Sequence, residues 1–276
     1  MTESIIGASS AAVAKEPATP RFVWRDGSFL PRLIIGLAIL FVWEAVVRAF
    51  APAYVAKPTT VVLAIPKVIT EPAFLQALGA TTAAVAEGLA ITIAFGTVIG
   101  LLMGRSNTID RMIRVYINGF NALPMIVVLP LFSLWFGYSS ATRIATIIFA
   151  AIFAITMNVA DGARSVPREY LEVARSFRSG RLRMLIDIVL PSSMPYLLAG
   201  FRLAAGRALI GAVVAEFFLS IGGLGYYILY NSRSYHHNEA FVGVLLLAAF
   251  GVGFELMVNW CTRHFMPWYR RDEKTD

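Results

Sequence analysis

The sequence predicts an all-α transmembrane protein with about six membrane-spanning helices, and three observations carry that prediction. Of 276 residues, 58% are hydrophobic and 15% charged, where soluble domains run near about 45–50% and about 25%. Apolar runs of about 20 residues recur, enough to cross a hydrocarbon core of about 30 Å. Arginine and lysine collect in alternate connections between those runs, as they do in the cytoplasmic loops of membrane proteins.

Residues 1–30 are rich in Ala, Ser, Pro and Thr and hold no apolar run long enough for a signal-peptide core. They read as a flexible cytoplasmic tail. The transmembrane domain is expected over residues 31–265, with a cytoplasmic tail at 266–276. Its first span is placed at Leu33–Phe50, where Glu44 and Arg48 at i, i+4 suit a local salt bridge near the outer end. Residues 52–79 carry Pro52, Pro58, Pro66 and Pro72, too many breaks for one helix. The second span follows at Ala80–Met103 and the third at Ile113–Phe136. In the third, Asn121-Ala-Leu-Pro124 and Pro130 free backbone carbonyls at membrane depth. The fourth span is expected at Ala141–Ala160, the fifth at Tyr196–Leu219 and the sixth at Ala240–Trp260. Between the last two, residues 220–239 open Ser-Ile-Gly-Gly-Leu-Gly and continue through Tyr226, Tyr227 and Tyr230, which fits a loop dipping to the membrane interface.

Orientation follows from the basic residues. An inside N-terminus places seventeen Lys and Arg in the cytoplasm against four outside (Lys57, Lys67, Arg143 and Arg233). The net charge of +7 is thus read as loop bias rather than as a nucleic-acid surface. The single cysteine, Cys261, excludes an intrachain disulfide or a CxxC metal pair. His236-His237 stand without HExxH or other ligand spacing, so no metal site is expected. None of the four lysines follows a glycine, so the chain has no Gly-Lys-[Ser/Thr] phosphate loop. No Ser/His/Asp constellation or carboxylate pair suggests a catalytic site.

One segment interrupts the apolar pattern. From Arg164 to Arg183 six arginines fall within twenty residues. Pro167 and Glu169 suit the first turn of a helix. Leu171, Ala174 and Phe177 recur at spacings of three, with arginines on another side. Ser179 and Gly180 break the run, and a second run through Leu182, Leu185, Ile186 and Val189 is expected to end at Leu190-Pro191. Two short helices at an elbow, lying at the cytoplasmic face over about 161–191, result. The physics leaves two readings open: a docking element for another chain, or an amphipathic helix resting on anionic lipid headgroups.

Glu172-Val-Ala174 followed by Ile188-Val-Leu190-Pro191 resembles the EAA motif of permease subunits of bacterial ABC importers. That motif opens Glu-Ala-Ala, turns on a glycine and closes Ile-x-Leu-Pro. Arg178 stands where the family's glycine is expected, with Gly180 two residues later. The similarity extends from about Leu33 to Trp268 and is nearest to the branch that imports sulfonates, taurine, nitrate and thiamine-precursor pyrimidines. The pieces that carry it are Leu129–Gly137, Ala199–Glu216 and the Gly-Gly-Leu-Gly run at 222–225. The resemblance implies a type I importer-like permease of the inner membrane with a cytoplasmic coupling loop. It implies that Glu172, Ala174, Arg175, Phe177, Arg178, Gly180, Ile188, Leu190 and Pro191 meet an ATPase subunit. Further implied partners are two such ATP-binding subunits, a second permease copy in a homodimer, and a periplasmic or lipid-anchored substrate-binding protein. ATP and Mg would be bound by the ATPase, with no cofactor in this chain.

Ionisable groups inside spans are expensive and face an interior or water. Candidate pathway residues are Glu87, Asn121, Pro124, Arg202, Arg207 and Glu216, with Arg202 and Glu216 fourteen residues apart on nearly the same side of the fifth span. In the similar importers a basic residue is expected near Ala84, where this chain has no charge until Glu87. Helix-terminal pairing and local packing are the alternatives for each of these. A channel or ion-driven secondary transporter would share the six spans and the buried charges, without need of a docking loop.

Overall fold

The computed structural model describes residues 29–52 and 55–265. The expected tails at 1–30 and 266–276 therefore fall almost wholly outside the described residues. The described chain is helical from end to end: α1 Phe29–Phe50, α2 Pro58–Thr70, α3 Pro72–Arg105, α4 Asn107–Asn121, α5 Met125–Phe136 and α6 Ser140–Ser165. After these come α7 Arg168–Ser176, α8 Arg181–Met184, a π turn Leu185–Val189, α9 Leu190–Leu219, α10 Leu224–Arg233 and α11 His237–Phe265. Five of the helical segments are long and apolar enough to cross a membrane, six if α4 and α5 count as one.

Four expectations change in the structure. The third span is not straight: α4 and α5 meet at 100°. Pro124 is the cause, since its ring pushes the preceding residue out of the helical region, and α5 restarts only at Met125. The second span begins at Pro72 rather than Ala80, because Pro58 and Pro72 sit at helix starts, where the missing N–H is harmless. Residues 220–239 are not mainly a loop: the glycines form a tight turn and Leu224–Arg233 is helical. Leu190-Pro191 does not end a helix either, because α8, the π turn and α9 run on as one rod from Arg181 to Leu219. The proline ring would strike the carbonyl four residues earlier in a regular helix. Here the turn is widened just before it, with the Leu190 N–H reaching back to the Leu185 carbonyl.

The core lies where α3, α6 and α9 touch, and it is built from small side chains. Ala84, Val85 and Leu89 of α3 meet Ile147, Ala151 and Ile155 of α6 and Ala204, Ala208 and Ala212 of α9. Lipid tails are as apolar as leucine, so helices in a membrane associate through close packing rather than through expulsion of water. Gly100 shows how close: a Cβ there would stand 2.7 Å from the Thr156 carbonyl oxygen and 2.8 Å from Val159 Cβ. At Gly104 it would stand 2.5 Å from the Ala160 carbonyl oxygen. The leucines, isoleucines and phenylalanines of α1 are mostly exposed, as the outer surface of a chain solvated by lipid should be.

Gly100→Val should therefore wedge α3 from α6 and lower stability by about 1–3 kcal/mol or more, the usual result of overpacking a core. Gly36→Ala, where an added Cβ meets nothing within 4 Å, should be tolerated. Thermal unfolding of both variants in detergent checks the pair.

Candidate functional site

The elbow is built by burying one side of α7. Leu171 and Ala174 pack with Val166, Met184 and Val189 against Ala163 at the end of α6. The spacing of three puts those two residues inward and leaves Glu172 and Arg175 outward. Around them Tyr170 and Val173 are exposed, and Phe177 is 81% exposed. Together with Tyr170 and Val173, Phe177 leaves an apolar strip open beside the charged side chains of the elbow.

The turn after α7 is where the sequence departs from the EAA pattern, and the backbone accounts for the departure. Arg178 has φ +52°, in the left-handed region. Its N–H donates to the Arg175 carbonyl at 2.8 Å, and the Ser179 N–H donates to the Ala174 carbonyl at 3.0 Å. These two bonds define the Schellman ending of a helix, whose left-handed position is normally a glycine. Gly180, expected to make the turn, has φ −65° and caps α8 instead. The bend is thus where the family's glycine would be, with arginine holding it. Beyond the bend, Ile188 packs into the same buried cluster, Leu190 opens α9 and Pro191 lies exposed behind the π turn. The elbow is braced from the side by Asp110, which accepts from Arg114 and Arg164, each at 2.8 Å, and so ties α4 to α6.

Of the six candidate pathway residues, the structure brings three together. Arg207 Nη1 donates to Asn121 Oδ1 at 2.7 Å, next to the break that Pro124 makes between α4 and α5. Arg207 borders two cavities. One, of 170 Å³, also takes in Asn121 and Phe153. The other, of 450 Å³ between α3, α9 and α11, includes Arg202, Val85, Phe254 and Glu255. Glu87 is exposed on α3 and lines neither.

Glu216 has a different place. Its side chain is wholly buried and is met from three directions. Thr81 Oγ1 of α3 donates to one carboxylate oxygen at 2.8 Å, and the Gly225 N–H donates to the other at 2.9 Å. Arg143 Nη1 of α6 lies 3.3 Å away and also donates to the Gly222 carbonyl at 2.9 Å. Thr81 in turn accepts from the Leu224 N–H at 2.8 Å. Two of the glycines in Gly-Gly-Leu-Gly are required by this carboxylate, since a Cβ on Gly223 would overlap it and one on Gly225 would stand 2.9 Å from Glu216 Cβ. Arg143, expected in an outer connection, is 8% exposed inside α6. Neither it nor Thr81 was marked by any spacing in the sequence, and Glu216 joins a buried tie rather than the wall that carries Arg202. Nearby, the Tyr227 hydroxyl donates to Glu71 at 2.7 Å; burial, reinforced by that bond, raises its pKa above the usual phenol range. Among the described residues no three His, Cys, Asp or Glu side chains gather to hold a metal ion.

Comparisons with known proteins bear on the family and the fold. Residues 96–271 match the family described as "Binding-protein-dependent transport system inner membrane component". The chain is 28% identical over 262 residues to the putative aliphatic sulfonates transport permease of Bacillus subtilis, covering 94% of this chain and 93% of that one. It is 26% identical over 239 residues to the taurine transport system permease of Escherichia coli, covering 84% and 86%. In fold it is similar to a chain of a bacterial alginate ABC transporter solved with an alginate pentasaccharide-bound periplasmic protein, with TM-score 0.62 and 13% identity over 86% of this chain and 92% of that one.

Two sets of variants test the site's construction. Arg178→Gly should relieve a left-handed strain of about 1–2 kcal/mol, and Arg178→Ala should not; unfolding midpoints in detergent distinguish them. Glu216→Gln and Arg143→Met should each be strongly destabilising, by about 3–5 kcal/mol, because each strands a buried partner, while the double variant should lose far less than their sum. A double-mutant cycle on unfolding reads that coupling.

Proposed function

The chain belongs to the binding-protein-dependent transport inner membrane components, a family of multi-pass membrane transport proteins, and from that premise we propose that it is the permease subunit of an ATP-driven importer. It forms the translocation pathway for a small solute, either one that carries an oxyanion group, of the sulfonate, taurine or nitrate kind, or a pyrimidine. A separate ATPase subunit docks on the elbow, and a binding protein delivers the solute to the opposite face. Both termini lie in the cytoplasm by the bias in basic residues, and two copies of the chain enclose the pathway.

The observation that carries this proposal is the unbroken rod from Arg181 to Leu219. One end of it, with α7, presents the exposed Glu172, Phe177 and Arg178; its middle carries Arg207, beside the cavity at the α4–α5 break, and Arg202, which shares with it the cavity between α3, α9 and α11. A push on the elbow is thereby delivered to the arginines without an intervening loop to absorb it. Arginine suits a solute that is a weakly hydrated oxyanion, because its planar fork matches such oxygens in pairs. Glu172 is outward-facing, and Leu171 and Ala174 hold the helix without it, so its charge is free to serve an interface.

Glu172→Lys should abolish ATP-driven uptake of labelled taurine or an alkanesulfonate by the reconstituted complex, while membrane levels of the chain stay normal. Uptake unchanged in that variant would sink the docking role. Uptake that continues without ATP but collapses with the ion gradient would favour a secondary transporter.

A further inference from the structure

Behind the elbow, the end of α3, the cap of α4, α7 and the start of the rod surround a cavity of 650 Å³. Three guanidinium groups line it (Arg105, Arg175 and Arg181) together with the hydroxyls of Ser106 and Ser179, over an apolar floor that includes Met184. No carboxylate lines it. Outside it, Arg114 and Arg164 meet Asp110 and Arg183 meets Asp187, while Arg168 and Arg178 share no cavity with another arginine. Among the described residues Arg175 and Arg181 have no ion-pair partner, and Arg105 reaches only the Ala163 carbonyl, at 3.4 Å. Three like charges around one space repel unless an anion sits between them.

We infer that this cavity is a binding site for a phosphate group. Three guanidinium forks and two hydroxyls offer more donors than the two oxygens of a carboxylate can accept, whereas the oxygens of a phosphate can take several forks at once. Ser106 accepts from the Ile109 N–H at 3.4 Å, which leaves its own O–H to donate. The same residue caps the fifteen-residue α4, whose first-turn amides and positive end add to the field. The phosphate comes from an anionic phospholipid headgroup or from a soluble phosphate compound. Beside Arg181, Leu182 is 70% exposed and Ile186 is 54% exposed one turn further along the rod, an apolar strip on which acyl chains can lie. The inference stands on the cavity alone and does not require that the elbow docks an ATPase.

The test uses the full chain in nanodiscs of phosphatidylcholine with and without phosphatidylglycerol, with the lipids that stay bound counted by native mass spectrometry. Parallel titrations with inorganic phosphate use nanodiscs of both compositions. Selective retention of phosphatidylglycerol that inorganic phosphate does not displace identifies a lipid headgroup. Saturable binding of inorganic phosphate that competes with phosphatidylglycerol identifies a soluble source. In either case Arg181→Gln, which removes an exposed side chain, should weaken retention about tenfold or more, as loss of a charge-assisted contact does. Ser179→Asp, which puts a negative charge in the cavity, should weaken it as well, and Arg183→Gln, outside the cavity, should leave it unchanged. Retention of neither probe above the phosphatidylcholine background, or retention that ignores both Arg181→Gln and Ser179→Asp in variants that unfold at the wild-type midpoint, overturns the proposal.

Discussion

The buried carboxylate of Glu216 is the point on which the arrangement of helices depends. Inside a bilayer no water stands ready to satisfy a polar atom, and a charge taken out of water is tolerated only with a partner and further hydrogen bonds. Here the partner comes from α6 through Arg143, one donor from α3 through Thr81, and another from the turn into α10 through the Gly225 N–H. Three helices far apart in sequence, α3, α6 and α9, and the turn that follows α9 are thus held at one place. The contact also sets the chemistry of that turn, because only residues without a Cβ fit where Gly223 and Gly225 approach the carboxylate.

The opposite end of the rod joins the elbow, packing through Met184 and Val189 against Ala163 of α6. The rod stays continuous through Pro191 because the π turn at Leu185–Val189 widens the helix there. A shift imposed at Arg181 is carried towards Arg202 and Arg207 instead of being lost in a hinge. The tight packing of α3 and α6 at Gly100 and Gly104 stiffens the pair of helices that the rod lies against. The brace of Asp110 with Arg114 and Arg164 keeps α4 at the same end as the elbow.

Much of this was legible in the sequence, for identifiable reasons. Spans announce themselves because lipid demands an apolar side chain at nearly every outward position. The elbow announced itself because Glu172 and Pro191 stand at a motif's spacing, and Arg178 could be seen to occupy its glycine position. What Arg178 does there could not, since a left-handed φ is a property of the closed turn and glycine at 180 was the natural place to expect it. The fall of α10 into a helix was hidden by the glycines that precede it, which serve the Glu216 carboxylate rather than flexibility. The Arg143–Glu216 pair was illegible for a simpler reason: the two residues lie on different spans, and local periodicity says nothing about contacts made across helices. The Asn121–Arg207 contact is of the same kind, though the break at Pro124 pointed to the neighbourhood.

The central claim is that the elbow is a surface for an ATP-binding chain, and Phe177 is the residue on which to test it. A photo-crosslinking amino acid placed at 177 in cells, with the adduct identified by mass spectrometry, asks directly what covers that 81% exposed side chain. Docking of an ATPase on the elbow predicts a covalent adduct with a chain carrying a Gly-Lys-[Ser/Thr] phosphate loop. Adducts with lipid alone, in cells that make the full transport system, would contradict it.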